Sequence, residues 1–427
     1  MFFNIQLGAI ASEITLCGGE SATDYIGIQQ IDDMTHYPEN NVLRQIWQFL
    51  YEGVNRANYM EENKANIDFE GKEAMYGEVY FLRAYYYFEL VKFFGDVPLF
   101  TEARLTAGQA GTLMRTPKDQ VYAQIELDLQ NAIASLPNSQ SQVGRVNKYT
   151  AYALLGKVLL YQDKFAEAAS ALDNVIGVYS LVSDYGSQFL RFGENGPESV
   201  FEIQYSNQSN WYDWGCAHCS EGNYAIIMNG PRGWSGPEYA QGWSFNVPTE
   251  EFYNSFEEGD SRRDATVLDI EAFAAATGAS YTEGYDHTGY FNNKYIPRAG
   301  ESGGQTELNY LTNFRIIRYS DVLLMAAEAY NRGGIDDGLA QEFLNQVRRR
   351  AFGGDDNDIS ASGSALTDAI WEERKFELSL EGHRFFDLVR TGRASSLIAG
   401  FVEGKHEVFP IPQQEVDISG LTQNAGY

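Results

Sequence analysis

The chain is short of the residues that staple, ligate and anchor. Three cysteines in 427 residues are too few for a disulfide framework. Five histidines are scattered along the chain. None of His36, His287, His383 or His406 stands at zinc-ligand spacing from the single C-x-x-C of Cys216 and Cys219. That motif reads as a short-loop disulfide or two free thiols, and no metal ligand or cofactor is assigned. A cation held by carbonyl and carboxylate oxygens leaves no sequence trace, so a structural calcium stays open. Positive charge is also scarce: 31 Lys and Arg stand against 59 Asp and Glu, for a net charge of −28. Such a field repels phosphate backbones, anionic lipid surfaces and polyanionic glycans, which argues against nucleic acid and favours a neutral ligand.

Long apolar runs are missing too, and no stretch approaches the roughly 20 residues of a membrane-spanning helix. The opening Met-Phe-Phe-Asn has neither a basic n-region nor a small-residue cleavage site. Cys17 is not read as a lipid-anchor cysteine, because Glu13 interrupts the apolar run and Leu16 occupies the place of a small residue. There is no Pro/Ser-rich linker, like-charge block or low-complexity run, so residues 1–427 are expected to form one large unit. No P-loop, G-x-S-x-G or H-E-x-x-H pattern occurs.

Helical periodicity is abundant. Residues 44–62, 72–94, 117–136, 148–162, 165–178, 318–332, 337–351 and 365–381 read as amphipathic helices that recur in pairs. Leu155, Gly156, Phe165, Ala168 and Leu172 follow the tetratricopeptide (TPR) pattern, in which small residues let two antiparallel helices touch and large ones plug between them. Ala326, Ala329, Tyr330, Gly333, Ala340 and Leu344 repeat it less cleanly. The expected fold is mainly all-α: a TPR-like helical solenoid of about four helix pairs, with a large loop-rich insertion and little β structure. Its scaffold spans 44–182 and 318–394. Residues 183–317 form the irregular insertion, with one strand at 199–205, and 395–427 form a C-terminal extended segment.

Two motifs invite functional readings and are better explained structurally. The run Phe81–Leu99 is aromatic almost all round, which marks a buried helix ended by Gly95 and Pro98. Glu373, Glu377 and Glu381 place three carboxylates on one helix face, as glycoside hydrolysis needs in pairs. Arg374, Arg384 and Arg390 are close enough in sequence to neutralise them, so no catalytic residue is assigned.

Four segments, these two among them, carry a family resemblance. Phe81 to Leu99 resembles the "fLRAfyyf-Lv-fGdVPl" signature of the SusD/RagB family, and Arg318 to Ala329 resembles its "RyaDvlLm-AEA" segment. Glu373-Arg374, Glu381-Gly382-His383-Arg384 and Asp387-Leu388 are similar to a third element. Pro410-Ile411-Pro412 with Gln423 to Tyr427 is similar to the family's ending, with Ala425 in place of a proline. The resemblance implies a single SusD-like domain and a non-enzymatic nutrient-binding lipoprotein on the extracellular face of a Bacteroidetes outer membrane. Such a protein captures glycan and delivers it to a SusC-like TonB-dependent transporter. A peptide cargo is the alternative within the family; a TPR scaffold that binds only protein and a glycoside hydrolase are the alternatives outside it. The family's secretion signal, lipidated cysteine and opening helical segment have no counterpart here, which implies an N-terminally truncated chain with Met1 an added start.

Sugar rings present apolar C–H faces to flat aromatic side chains, while amides and carboxylates bond their hydroxyls. Trp211, Trp214, Trp234 and Trp243 cluster in Gly-rich sequence with Tyr212 and Tyr239, and this cluster is the expected ligand site. In the family the other wall comes from the segment before the first TPR helix, which places Asp24, Tyr25, Tyr37 and Asn40 there by resemblance.

Overall fold

The computed structural model describes residues 7–207, 221–301 and 309–427. Trp211, Tyr212, Trp214, Cys216 and Cys219 lie outside the described residues. By contact the chain falls into two units, His36–Val178 with Phe401–Tyr427, and 7–35 with Tyr179–Gly400.

The first unit is an array of helices α1 (Asn41–Asn63), α2 (Lys72–Phe94), α3 (Lys118–Ser135), α4 (Lys148–Leu160) and α5 (Phe165–Asp173), each packed on the next. α1 starts where the Asn40 side-chain oxygen accepts the N–H groups of Val42 and Leu43, at 3.0 and 3.2 Å; those donors have no partner within the helix. α2 is buried on nearly every side, as its aromatic run predicts: Tyr76, Phe81, Tyr87, Phe88, Phe93 and Phe94 are all inaccessible or nearly so. It ends at Gly95, whose φ of 70° only glycine adopts at little cost. Arg83 is buried inside this apolar helix because the guanidinium is fully engaged. It donates to both carboxylate oxygens of Asp128 on α3, at 2.8 and 2.7 Å, and to Asn58 and Thr101. The TPR pattern of α4 and α5 is visible as a contact: a Cβ on Gly156 would lie 2.5 Å from the Leu172 side chain, so only glycine allows this approach. The C-terminal segment is tied to α2, with Phe409 stacked on Phe93 at 5.6 Å and the Asn424 amide donating to the carbonyls of Phe94 and Phe409.

The second unit carries α6 (Tyr319–Arg332), α7 (Asp337–Phe352), α8 (Gly363–Leu378) and α9 (Arg384–Arg390). The small residues of the weaker repeat, Ala326, Ala329 and Ala340, are inaccessible together with Leu344, so this pair also meets through its alanines. The fold is mainly helical, and among the described residues its strands form two-stranded antiparallel ladders. β1 (Thr15–Gly18) pairs with β4 (Phe245–Pro248), β2 (Ser199–Ile203) with β8 (Phe314–Arg318), β3 (Arg232–Ser235) with β6 (Ser280–Thr282), and β5 (Val267–Asp269) with β7 (Tyr290–Asn292). Of these only β2 corresponds to an expected strand. Except for β8, which is as long as β2, the others are too short for an alternating pattern to register.

The three carboxylates of α8 and the turn after it are fully buried in an ion network. Glu373 meets Arg262 at 2.5 Å and Arg348 at 2.9 Å; Glu377 meets Arg350 at 2.5 Å, Arg318 at 2.8 Å and Arg262 at 3.1 Å. Glu381 meets Arg318 and Lys294, each at 2.7 Å. Burial alone would raise the Glu377 carboxyl, but Arg350, Arg318 and Arg262 hold it well below the usual carboxylate range. No proton is available from it near neutrality, and no cleft opens onto it: its side chain is inaccessible.

Candidate ligand-binding site

In the second unit the β1–β4 ladder, with Gly18 opposite Phe245, sets the frame. Just past β1 the Gly19 N–H donates to Ser244 O at 2.8 Å, and the Tyr285 N–H donates to Gly19 O at 2.8 Å. Three distant stretches of chain thereby meet. Asp24 lies in the turn that follows. One of its carboxylate oxygens accepts the Glu20 N–H and an Arg232 N–H, each at 2.8 Å. Arg232 opens β3, and its backbone N–H reaches Ser244 Oγ at 3.3 Å. The pair is part-exposed, with Arg232 at 22% and Asp24 at 30% of full side-chain accessibility. It thus offers donors and acceptors to solvent. The Arg232 Nε, by contrast, is buried and meets no hydrogen-bonding partner among the described residues.

Aromatic residues lie beside both members of the pair in the chain, Tyr25 next to Asp24 and Trp234 two residues from Arg232. Tyr25, held at a positive φ of 49°, sets its ring edge against Phe245 at 6.3 Å. Tyr285 is 37% exposed. Trp234 is half-buried two residues from Arg232 and packs on Tyr239 and Phe273, each with ring centroids 6.0 Å away. Its indole N–H is buried without a partner among the described residues. Tyr239 belongs to the satellite core of Val247, Leu268, Ile270, Phe291 and Ile296, and its hydroxyl lies 3.3 Å from Asn293. Trp243 is half-buried, and its backbone N–H donates to Ile227 O at 2.8 Å.

The structure thus brings Asp24, Tyr25 and Trp234 into one region around Arg232, with Tyr239 beneath. Tyr37, exposed, and Asn40, buried as the α1 cap, lie in the first unit. Trp211, Tyr212 and Trp214 are outside the described residues. Sequence reading missed Arg232, Phe245 and Tyr285. Only Arg232 left a trace, as a cation beside Trp234.

The electrostatics favour a ligand without negative charge. Burial raises the Asp32 carboxyl to about 7, partly offset by the Cys17 N–H it accepts and reinforced by Asp33 and Asp286. Burial likewise raises Asp286, beside Tyr285, with Asp33 adding to the effect. Burial and the same acidic neighbours push the Cys17 thiol far up, so it is unreactive. Among the described residues no group of three or more His, Cys, Asp or Glu side chains could hold a metal ion, and no helix is long and apolar enough to cross a membrane.

Paired helices that meet through small residues define a helical-repeat protein. Comparison with known proteins gives the family. A family model described as the SusD family matches residues 197–400, and one described as starch-binding and associating with the outer membrane matches residues 17–160. A solved laminarin-binding SusD-like protein is 38% identical, with a TM-score of 0.90 over 99% of this chain and 94% of that one. The surface glycan-binding protein A of Bacteroides thetaiotaomicron, solved with laminarihexaose, is 30% identical, with a TM-score of 0.88 over 98% of this chain and 93% of that one. The SusD-like protein P2 of Formosa agariphila is 29% identical over 93% of this chain and 83% of its own length. The chain belongs to the SusD family.

Proposed function

We propose that this chain is a surface glycan-capture protein that binds a neutral oligosaccharide or polysaccharide, of the laminarin type in the first instance. It delivers the glycan without turnover to a TonB-dependent transporter of the outer membrane. The observation that carries this reading is the end-to-end match to a laminarin-binding protein. The site chemistry supports it. The Asp24–Arg232 pair offers an acceptor and a donor to sugar hydroxyls, and Tyr25, Trp234 and Trp243 offer faces for C–H contacts. Trp211, Tyr212, Trp214 and Tyr239 belong to the same proposed site; Tyr37 and Asn40 lie in the first unit and are not included. Absence of turnover is supported by the burial and arginine pairing of Glu373, Glu377 and Glu381. The transporter partner, the extracellular face and a lipid anchor in the full-length protein follow the family resemblance.

Electrophoresis through native gels cast with laminarin tests this. Retardation of the parent chain relative to a gel without polysaccharide is expected. Unchanged mobility across laminarin and a panel of other neutral glucans would contradict the reading.

A further inference from the structure

The first unit has a cleft of about 790 Å³ that the proposed function leaves unused. One face of α1 forms its floor, at the helical spacing of Gln48, Tyr51, Asn55 and Tyr59. The segment after α2 forms a wall and is stapled in place, because the Tyr51 O–H donates to Pro98 O at 2.8 Å and the Leu105 N–H donates to the Asn55 side-chain oxygen at 2.9 Å. Phe100 stacks on Tyr51 with ring planes 12° apart. Tyr59 is 47% exposed, one ring face covered by the Arg104 guanidinium at 4.4 Å. The helix Gln413–Ser419 contributes Glu415.

Three polar side chains of this cleft keep hydrogen-bonding capacity. Among the described residues neither the Gln48 amide nor the Glu415 carboxylate makes a side-chain hydrogen bond, and Asn55 uses only its oxygen. The ionised neighbours are paired off, Arg56 with Glu52 at 2.5 Å and Arg104 with Glu62 at 3.1 Å. What remains is flat aromatic surface, two amides able to donate and one carboxylate able to accept. An anion would meet Glu415 unfavourably, a wholly apolar ligand would leave all three groups unmet, and a lone ammonium would leave the amides unmet. A polyhydroxylated ring satisfies the rings and the polar groups together. The geometry points to a second saccharide-binding site in the first unit, which takes a neutral oligosaccharide on Tyr51, Tyr59 and Phe100 with hydroxyls bonded by Gln48, Asn55 and Glu415. Burial raises the Glu415 carboxyl, and the Arg44 guanidinium partly offsets this.

The inference rests on the proposed function only for its probe, laminarihexaose. Hydrogen exchange of the whole chain, with and without saturating sugar, is compared for the parent and for Arg232→Ala, Tyr59→Ala and Glu415→Gln, with circular dichroism as a control for folding. Sugar-dependent protection is expected over 48–60 and 98–105 in the parent and in Arg232→Ala. Tyr59→Ala and Glu415→Gln should each weaken this protection roughly tenfold in sugar concentration, the loss expected for one good aromatic or charged contact. Protection confined to 15–35 and 230–290, unchanged by Tyr59→Ala and Glu415→Gln, overturns the second site and leaves glycan capture standing. A parent chain that gains no protection anywhere overturns both.

Discussion

Arg232 is the side chain on which the proposed site turns, since it joins β3 to Asp24 and stands beside Trp234. A part-exposed ion pair contributes little to stability, typically about 0–1 kcal/mol. Arg232→Ala should therefore leave the melting temperature nearly unchanged while it weakens laminarihexaose binding roughly tenfold, whereas Trp234→Ala, which also removes packing on Tyr239 and Phe273, should lower both. A calorimetric titration beside a thermal melt separates the two, and full affinity in a folded Arg232→Ala variant would remove this residue from the site. Asp32 sets a pH dependence close by. Its carboxyl is raised to about 7 in the folded chain, against an ordinary value near 3.9 in the unfolded chain. It contributes stability that is fully present below about 3.9 and lost as pH rises through 7. Asp32→Asn removes the charge and can still accept the Cys17 N–H. It should raise the melting temperature of the second unit above about pH 8, with the gain shrinking toward pH 5; an equal gain at both values would contradict this origin.

At the scale of elements, the helices are held by local chemistry and were legible for that reason. α1 depends on its cap, and Asn40→Ala should cost about 1 kcal/mol of stability, with Asn40→Asp restoring most of it; urea unfolding of the three chains checks this. The aromatic run of α2 announced its burial, and Gly156 with Leu172 announced a helix pair that the structure brings into contact. The ladders were not legible, because strands of three to five residues leave no period and their partners are remote: Leu16 pairs with Val247, and Arg232 with Thr282. The site suffered the same loss. Tryptophan clustering pointed to residues 211–243, yet Asp24 comes together with Arg232 only through contacts of distant segments, and nothing in the local sequence of either announces the other. Trp234 and Tyr239 are held on one side by a satellite core, which composition alone does not separate from a ligand-facing cluster.

For the whole molecule, buried charge is concentrated where catalysis could have been suspected. Glu373, Glu377 and Glu381 are locked to Arg262, Arg318, Arg348, Arg350 and Lys294, an arrangement that holds the second unit's helices to its insertion and leaves no carboxylate pair facing solvent there. The net charge of −28 turns away anions. Both features suit capture of a neutral sugar that leaves as it came. The central claim is capture without turnover, and one measurement addresses it most directly: isothermal titration of the purified chain with laminarihexaose, followed by chromatography of the recovered sugar. The account predicts saturable binding, weakened by added salt little if at all because the ligand is neutral, and an intact hexasaccharide after prolonged incubation. Failure to bind, or release of shorter oligosaccharides that Glu373→Gln or Glu377→Gln abolishes in a folded chain, would contradict it.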